Sequence, residues 1–226
     1  MSCDIVPPAT ARAKIQAYVS SLRQAIGQGS EGPLLTRPPG YMLRADAVEL
    51  DLALFGDLVA RAKEAAGRSE PAAASELLAT ALGLWRGRAF ADVESAVIRS
   101  AADKLEDRRL LAQEAKAEAD LALGHCDSVV AELSPRLAAN PFRERMRAAL
   151  MLALYRLGCR ANAITIYRDG RQLMVAERGL EPGPQLRGLY QRILADDPGL
   201  LPAMRQAVAV SNGSGARPAR NGSGAR

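Results

Sequence analysis

This chain of 226 residues is poor in the side chains that build disulfide frameworks and metal sites. It has one histidine, His125, and three cysteines, Cys3, Cys126 and Cys159, far apart and without a Cys-x-x-Cys pair. An odd, scattered set of cysteines argues against a disulfide scaffold, and the lone histidine argues against zinc. Cys126 and Cys159 therefore read as small core residues. Aromatic residues are only 4% of the chain, with a single tryptophan, Trp85. Alanine, leucine and arginine dominate, which favours helix over sheet. No apolar run reaches membrane-span length, and no basic-then-apolar leader opens the chain, so the expectation is a cytoplasmic protein with no membrane partner. GxxxxGK[ST] and HExxH are missing, and His125 has no nucleophile constellation around it. The expectation is a non-enzyme with no cofactor.

The net charge of +5 is unevenly spread. Residues 1–45 carry Arg12, Lys14, Arg23, Arg37 and Arg44 against only Asp4 and Glu31. Residues 46–197 hold 21 basic and 23 acidic groups, and residues 198–226 hold four arginines and no acid. An anionic partner would meet the ends rather than the near-neutral middle.

Between Thr10 and Ile26 the apolar residues Ile15, Val19, Leu22 and Ile26 recur at helical period. Pro7-Pro8 suits an entry loop and Thr10 an N-cap. The opposite face holds Ala13, Lys14, Ala17, Ser20, Ser21 and Gln24, with Arg12, Gln16 and Arg23 on one flank and no acid anywhere. A glycine-rich loop over 27–32 follows. Then Leu34-Leu35-Thr36, Arg37-Pro38-Pro39-Gly40 and Tyr41-Met42-Leu43 read as strand, turn, strand. A helix followed by a hairpin is the second half of a winged helix.

From Asp51 the pattern is helical, over 51–66, 71–85, 96–123, 127–139, 142–157, 160–177 and 184–195. The breaks fall at Gly67, Gly124, Gly158, Asn140-Pro141 and Glu181-Pro182-Gly183-Pro184. Leu123-Gly124 and Leu157-Gly158 are 34 residues apart, and the same offset aligns Leu121 with Tyr155, Val130 with Ile164 and Leu133 with Tyr167. That is the tetratricopeptide period. Each such unit must stack on neighbours to bury its apolar face, so 51–85 reads as a degenerate earlier pair and 184–195 as a cap. Trp85 is expected to pack at a helix end, and Tyr155, Tyr167 and Tyr190 in the core. After Pro198 the pattern fades into a low-complexity Gly/Ser/Arg tail, expected to be disordered.

The stretches PPATARAKIQAYVSSLRQAIG and LLTRPPGYMLRADAVELDLALF resemble the end of the DNA-binding domain of the SARP family, the Streptomyces antibiotic regulatory proteins. LLATALGLWRGRAFADV, LEDRRLLAQEAKAEADLALG and NPFRERMRAALMLALYRLGCRANAITIYRDGRQLMVAERGLEPGPQLRGLYQRIL extend the resemblance into the bacterial transcriptional activator domain. The resemblance implies a mainly α fold: a tetratricopeptide-like α-α array over 46–198, preceded over 1–45 by the recognition helix and wing of an OmpR-type winged helix, and followed over 199–226 by the tail. The small sheet and two helices that precede this part in the family have no counterpart in the sequence, so the stripe from Ile15 to Ile26 is expected to lack its usual partners. The implied function is a transcription activator of secondary-metabolite genes. Its implied partners are double-stranded promoter DNA, RNA polymerase, and a second protomer or a related regulator. An interaction module that has lost DNA binding is the alternative.

With that resemblance, Arg12, Lys14, Gln16, Ser20, Ser21 and Arg23 become candidates for contact in the major groove. Arg and Lys suit phosphates and guanine edges, Gln suits adenine, and Ser is adaptable. Arg37 and Arg44 flank the wing and become candidates for backbone or minor-groove contact. Without the resemblance, the same helix also fits an amphipathic surface helix with solvated charges.

Overall fold

The computed structural model describes residues 9–26, 32–44, 50–93 and 95–201. Cys3, the 27–31 part of the glycine-rich loop, the expected boundary at 45/46 and the tail beyond 201 lie outside the described residues. The chain divides into two compact units between Asp57 and Leu58.

The first unit contains helix α1 (Ala11–Ile26) and the strands β1 (Leu34–Arg37) and β2 (Gly40–Leu43). The strands pair antiparallel in the register Leu34↔Leu43, Leu35↔Met42, Thr36↔Tyr41, Arg37↔Gly40. Arg37 and Gly40 close the ladder, so Pro38 and Pro39, joined by a cis peptide bond, form the two-residue turn. Neither proline can donate to a ladder, and the turn places both of them outside it. The Arg44 N–H donates to the Pro33 carbonyl at 2.7 Å and closes the base.

Helix α2 (Asp51–Gly67) crosses the division. Helices α3 (Pro71–Gly83), α4 (Ala96–Leu123), α5 (Cys126–Ala139), α6 (Glu144–Arg156), α7 (Arg160–Arg178) and α8 (Pro184–Leu194) follow. The 34-residue offset is visible in the backbone. Gly124 and Gly158 both adopt left-handed φ, 82° and 84°, the conformation that ends a helix without a Cβ penalty. Gly124 N–H donates to Leu121 O at 3.2 Å and His125 N–H to Asp120 O at 2.8 Å. Gly158 N–H donates to Tyr155 O at 3.0 Å and Cys159 N–H to Leu154 O at 2.9 Å. Both of these bonds in the first cap have their equivalent 34 residues on.

One apolar core runs through α4 to α8, with Leu133, Met146, Leu150, Met151, Leu186 and Ile193 fully buried in it. Leu121, Tyr155, Leu133 and Tyr167 are buried there, and Val130 and Ile164 pack against it, so aligned positions share an environment. Tyr190 is half-buried and stacks on Tyr167 at 3.9 Å between ring centroids. A smaller alanine cluster, Ala65, Ala74 and Ala119, joins α2, α3 and α4. Trp85 lies just past α3 with the Arg109 guanidinium 5.0 Å above its ring, in keeping with a packing role at a helix end.

Three expectations need correction. Cys126 is buried but Cys159 is exposed, because it caps α7 from outside rather than facing the stack. Helix α3 stops at Gly83, two residues short of Trp85. Residues 199–201 belong to the fold and not to the tail: Pro198–Leu200 form a 3-10 turn, capped by the Asp197 carboxylate accepting Gly199 N–H at 2.8 Å, and Leu200 is buried in the core.

Candidate nucleic-acid interface

Helix α1 starts where the Thr10 carbonyl accepts the Lys14 N–H at 3.0 Å, and it carries no acid in its first turn. Of its apolar stripe only Val19 is buried, at 8% exposure, while Ile15 and Leu22 are each 51% exposed and Ile26 is exposed too. Tyr18 beside the stripe is 67% exposed.

Arg23 sits in the last turn of α1. Its Nε and one terminal nitrogen donate to the Leu34 carbonyl at 3.0 and 2.9 Å, and the same terminal nitrogen donates to Thr36 Oγ1 at 2.8 Å. Its guanidinium lies 5.8 Å from the Tyr41 ring centroid. Thr36 and Tyr41 face each other across the ladder, so a single planar fork grips both strands. Arg23 therefore fixes where the hairpin stands relative to the helix.

The other candidates are arranged around that brace. Arg12, Lys14, Gln16, Ser20 and Ser21 are all exposed on α1. At 3.6 residues per turn, Arg12 and Gln16 share the flank of Arg23, Lys14 and Ser21 take the opposite flank, and Ser20 lies between. Arg37 is exposed beside the turn, whereas Arg44 is half-buried at the hairpin base. The structure thus brings Arg23 onto the hairpin and leaves the remaining helix candidates exposed, Arg12 and Gln16 on one flank and Lys14 and Ser21 on the other. Thr36, Tyr41 and the Leu34 carbonyl, which hold Arg23, are additions to the sequence reading. The two-residue turn was the signal for them, since it fixes Thr36 opposite Tyr41. The chemistry on offer is cations and amide or hydroxyl hydrogen-bonding groups along a helix, with a further cation at a hairpin tip.

The helical array carries its own buried polar groups. Glu114 on α4 is buried and ion-paired to Arg143 at 3.0 Å and Arg145 at 3.8 Å, and Arg143 also reaches Asp107 at 2.5 Å. Burial pushes the Glu114 carboxyl up despite the two guanidiniums. Burial opposes the charge on Lys116, but its hydrogen bonds to Asp120 at 2.8 Å and Glu132 at 2.9 Å win, and its pKa is raised. Arg147, 4% exposed, donates to Ile166 O at 2.7 Å and Pro141 O at 2.6 Å. These groups stitch helices together. Among the described residues no group of three or more His, Cys, Asp or Glu could hold a metal ion, and no helix is long and apolar enough to cross a membrane.

Residues 50–194 match the bacterial transcriptional activator domain. The chain belongs to this family. Curated relatives include the SARP-type regulators, of which this chain is one. Regulatory protein AfsR of Streptomyces griseus is 40% identical over 191 residues, 84% of this chain and 19% of the relative. Regulatory protein DnrI of Streptomyces peucetius is 36% identical over 203 residues, 86% of this chain and 75% of the relative. The SARP-type chain thus spans about a fifth of the AfsR proteins that it matches. Among solved structures, Mycobacterium tuberculosis EmbR in complex with a low affinity phosphopeptide superposes with a TM-score of 0.79 at 33% identity, over 93% of this chain and 56% of that one. The relatives are named as regulators, and the mainly α array preceded by a helix and hairpin is the fold expected for this family.

Proposed function

We propose that this regulator reads double-stranded promoter DNA with α1 and the β1–β2 hairpin, while the helical array pairs protomers or contacts RNA polymerase. The observation that carries the reading is the Arg23 brace. It makes α1 and the hairpin a single preorganised element, with Arg12, Lys14, Gln16, Ser20 and Ser21 exposed on the helix and Arg37 at the hairpin tip. A helix held in this way can lie in a major groove while the hairpin tip reaches the adjacent backbone. The reading is tested by titrating the 226-residue chain against labelled DNA from its own upstream region at several salt concentrations. The expected result is saturable binding that beats a scrambled duplex. The double variant R12A/K14A is expected to bind more weakly, with a salt slope shallower by about 0.9 for each phosphate that is no longer neutralised. Equal, weak binding to both duplexes overturns the proposal.

A second reading rests on the exposure of Ile15, Tyr18, Leu22 and Ile26. A contiguous apolar strip of this kind marks a protein contact. In this reading the chain is an interaction module that modulates a full-length relative. It predicts a stable complex with such a relative and no specific DNA binding by the chain alone.

A further inference from the structure

Exposure on α1 rises around the helix, away from the side that meets the hairpin. Val19 stands next to Arg23 on that side and is 8% exposed. Moving away from Arg23 at about 100° per residue, Ile26 lies about 20° beyond Val19, Ile15 about 40°, Leu22 about 60° and Tyr18 about 100°. Their exposures, in that order, are 44%, 51%, 51% and 67%. Tyr18 is therefore the ring on α1 that stands farthest from the hairpin, at the outer edge of the apolar strip.

Beyond Tyr18 the helix turns polar. Lys14 lies about 40° further round and Ser21 about 60°. Lys14, Tyr18 and Ser21 recur at i, i+4 and i+7, the spacing that sets side chains in one row along a helix. All three are exposed, and the row is about 10 Å long. Each member ends in a hydrogen-bond donor: an ammonium, a phenol hydroxyl and an aliphatic hydroxyl. The helix ARAKIQAYVSSLRQAI contains no carboxylate that could take those donors. A row of donors with no acid near it in the helix suits a line of anionic oxygens. Ile15, Leu22 and Ile26 need only an apolar cover, whereas the tyrosine hydroxyl needs a polar partner.

We propose that Tyr18 is a DNA-contact residue, its phenol hydroxyl donating to a phosphate oxygen of one strand. Lys14 and Ser21 take phosphates of the same strand on either side. The inference rests on the reading of α1 as a helix in the major groove, and it assigns the edges of that helix. Lys14, Tyr18 and Ser21 follow one backbone, Arg12 and Gln16 line the other flank, and Ser20 between them faces the base edges. Lys14 and Tyr18 are about 6 Å apart along the helix axis, so each takes its own phosphate. A contact of this kind fixes grip and register without reading sequence. The phenol is neutral, so its bond to a phosphate displaces no counterion of its own.

The test is the variant Y18F, which keeps the ring and removes the hydroxyl. The full chain and its variants are titrated against the labelled upstream duplex and the scrambled duplex at several salt concentrations. Y18F is expected to bind both duplexes more weakly by the same factor, about tenfold, as for one hydrogen bond to a charged group. Its salt slope is expected to match the parent, whereas K14A is expected to have a slope shallower by about 0.9. Neutral methylphosphonates placed one at a time along each strand locate the contact. At one position the replacement is expected to weaken the parent about tenfold and Y18F no further, the coupling that a direct bond requires. Y18F that binds as tightly as the parent overturns the proposal, and this is the outcome if the ring serves only a protein contact. A loss confined to the upstream duplex overturns it too, because the hydroxyl then reads a base. So do methylphosphonate effects that are the same in Y18F as in the parent at every position. Faster amide exchange over 34–43 in Y18F also overturns it, in favour of a role in holding the hairpin. Equal binding of the parent to both duplexes defeats the reading of α1 as a sequence reader but leaves the Y18F comparison intact, since both duplexes carry the same phosphates. Binding to neither duplex overturns both.

Discussion

Gly170 lies inside α7, where a glycine ordinarily weakens a helix, and replacing one by alanine on an exposed surface gains about 0.5–1 kcal/mol. Here the sign reverses. A Cβ on Gly170 would stand 2.3 Å from Cζ and Nε of Arg147. A guanidinium on the surface would swing aside at little cost. That of Arg147 is enclosed and held by the carbonyls of Ile166 and Pro141 at 2.7 and 2.6 Å. Displacing it breaks two hydrogen bonds to a charged donor, each worth about 1.5–3 kcal/mol. With the gain in helix propensity subtracted, G170A is expected to lose about 2–5 kcal/mol. Urea denaturation followed by circular dichroism measures the loss, and R147M supplies the control. Methionine removes the guanidinium that the new methyl would strike, so G170A/R147M is expected to be more stable than the sum of the single effects by at least about 1–2 kcal/mol. A G170A protein as stable as its parent, or strictly additive effects, refutes the argument.

R23M removes the fork between α1 and the hairpin. It is expected to speed amide exchange over 34–43 by about tenfold to a hundredfold, in line with the loss of a charged hydrogen bond, and unchanged exchange counts against the brace. Glu114 has a native pKa above its ordinary value of 4.5, so the native state holds that proton more tightly than the unfolded chain. Its contribution to stability therefore grows as pH falls through the raised value towards 4.5 and is absent at higher pH. Comparing denaturation midpoints of the parent and E114Q across pH checks this: the difference should move in favour of the parent on acidification, and a constant difference refutes it. Gly158→Ala places a side chain at φ 84° and should cost about 1–2 kcal/mol. Gly67→Ala, at an ordinary φ with open space around it, should stay within about 0.5 kcal/mol by the same denaturation assay.

What was legible in the sequence is what local chemistry determines. The Leu-Gly pairs 34 residues apart announced helix ends, because only glycine takes the left-handed cap without strain. Pro38-Pro39-Gly40 announced a hairpin turn. The stripe on α1 was visible as a period, whereas the burial of Val19 alone among its members was not. What escaped depends on residues distant in the chain. Arg23 looks like any cation on a helix flank until the Leu34 carbonyl is placed beside it. Cys159 is apolar in character but caps a helix on the outer side, a matter of phase that composition does not carry. Leu200 reads as tail because three residues make no periodic signal. It is anchored by Arg156, and by the Tyr155 hydroxyl donating to Asp196 at 2.9 Å just upstream. Arg147 interrupts an apolar helix, and its meaning emerges only when Gly170 stands opposite.

The two matching glycine caps have a consequence for how such an array can change length. Joining Gly124 directly to Cys159 would preserve the left-handed cap, since its two closing hydrogen bonds have equivalents on either side. The surfaces would not be equivalent. Excising that span would set Leu110 where Glu144 now receives the Gly183 N–H, and Leu121 where Tyr155 now reaches Asp196. The joints are interchangeable and the faces are not, so the number of repeats is recorded in the polar contacts that dock α8, and the array has a defined last member.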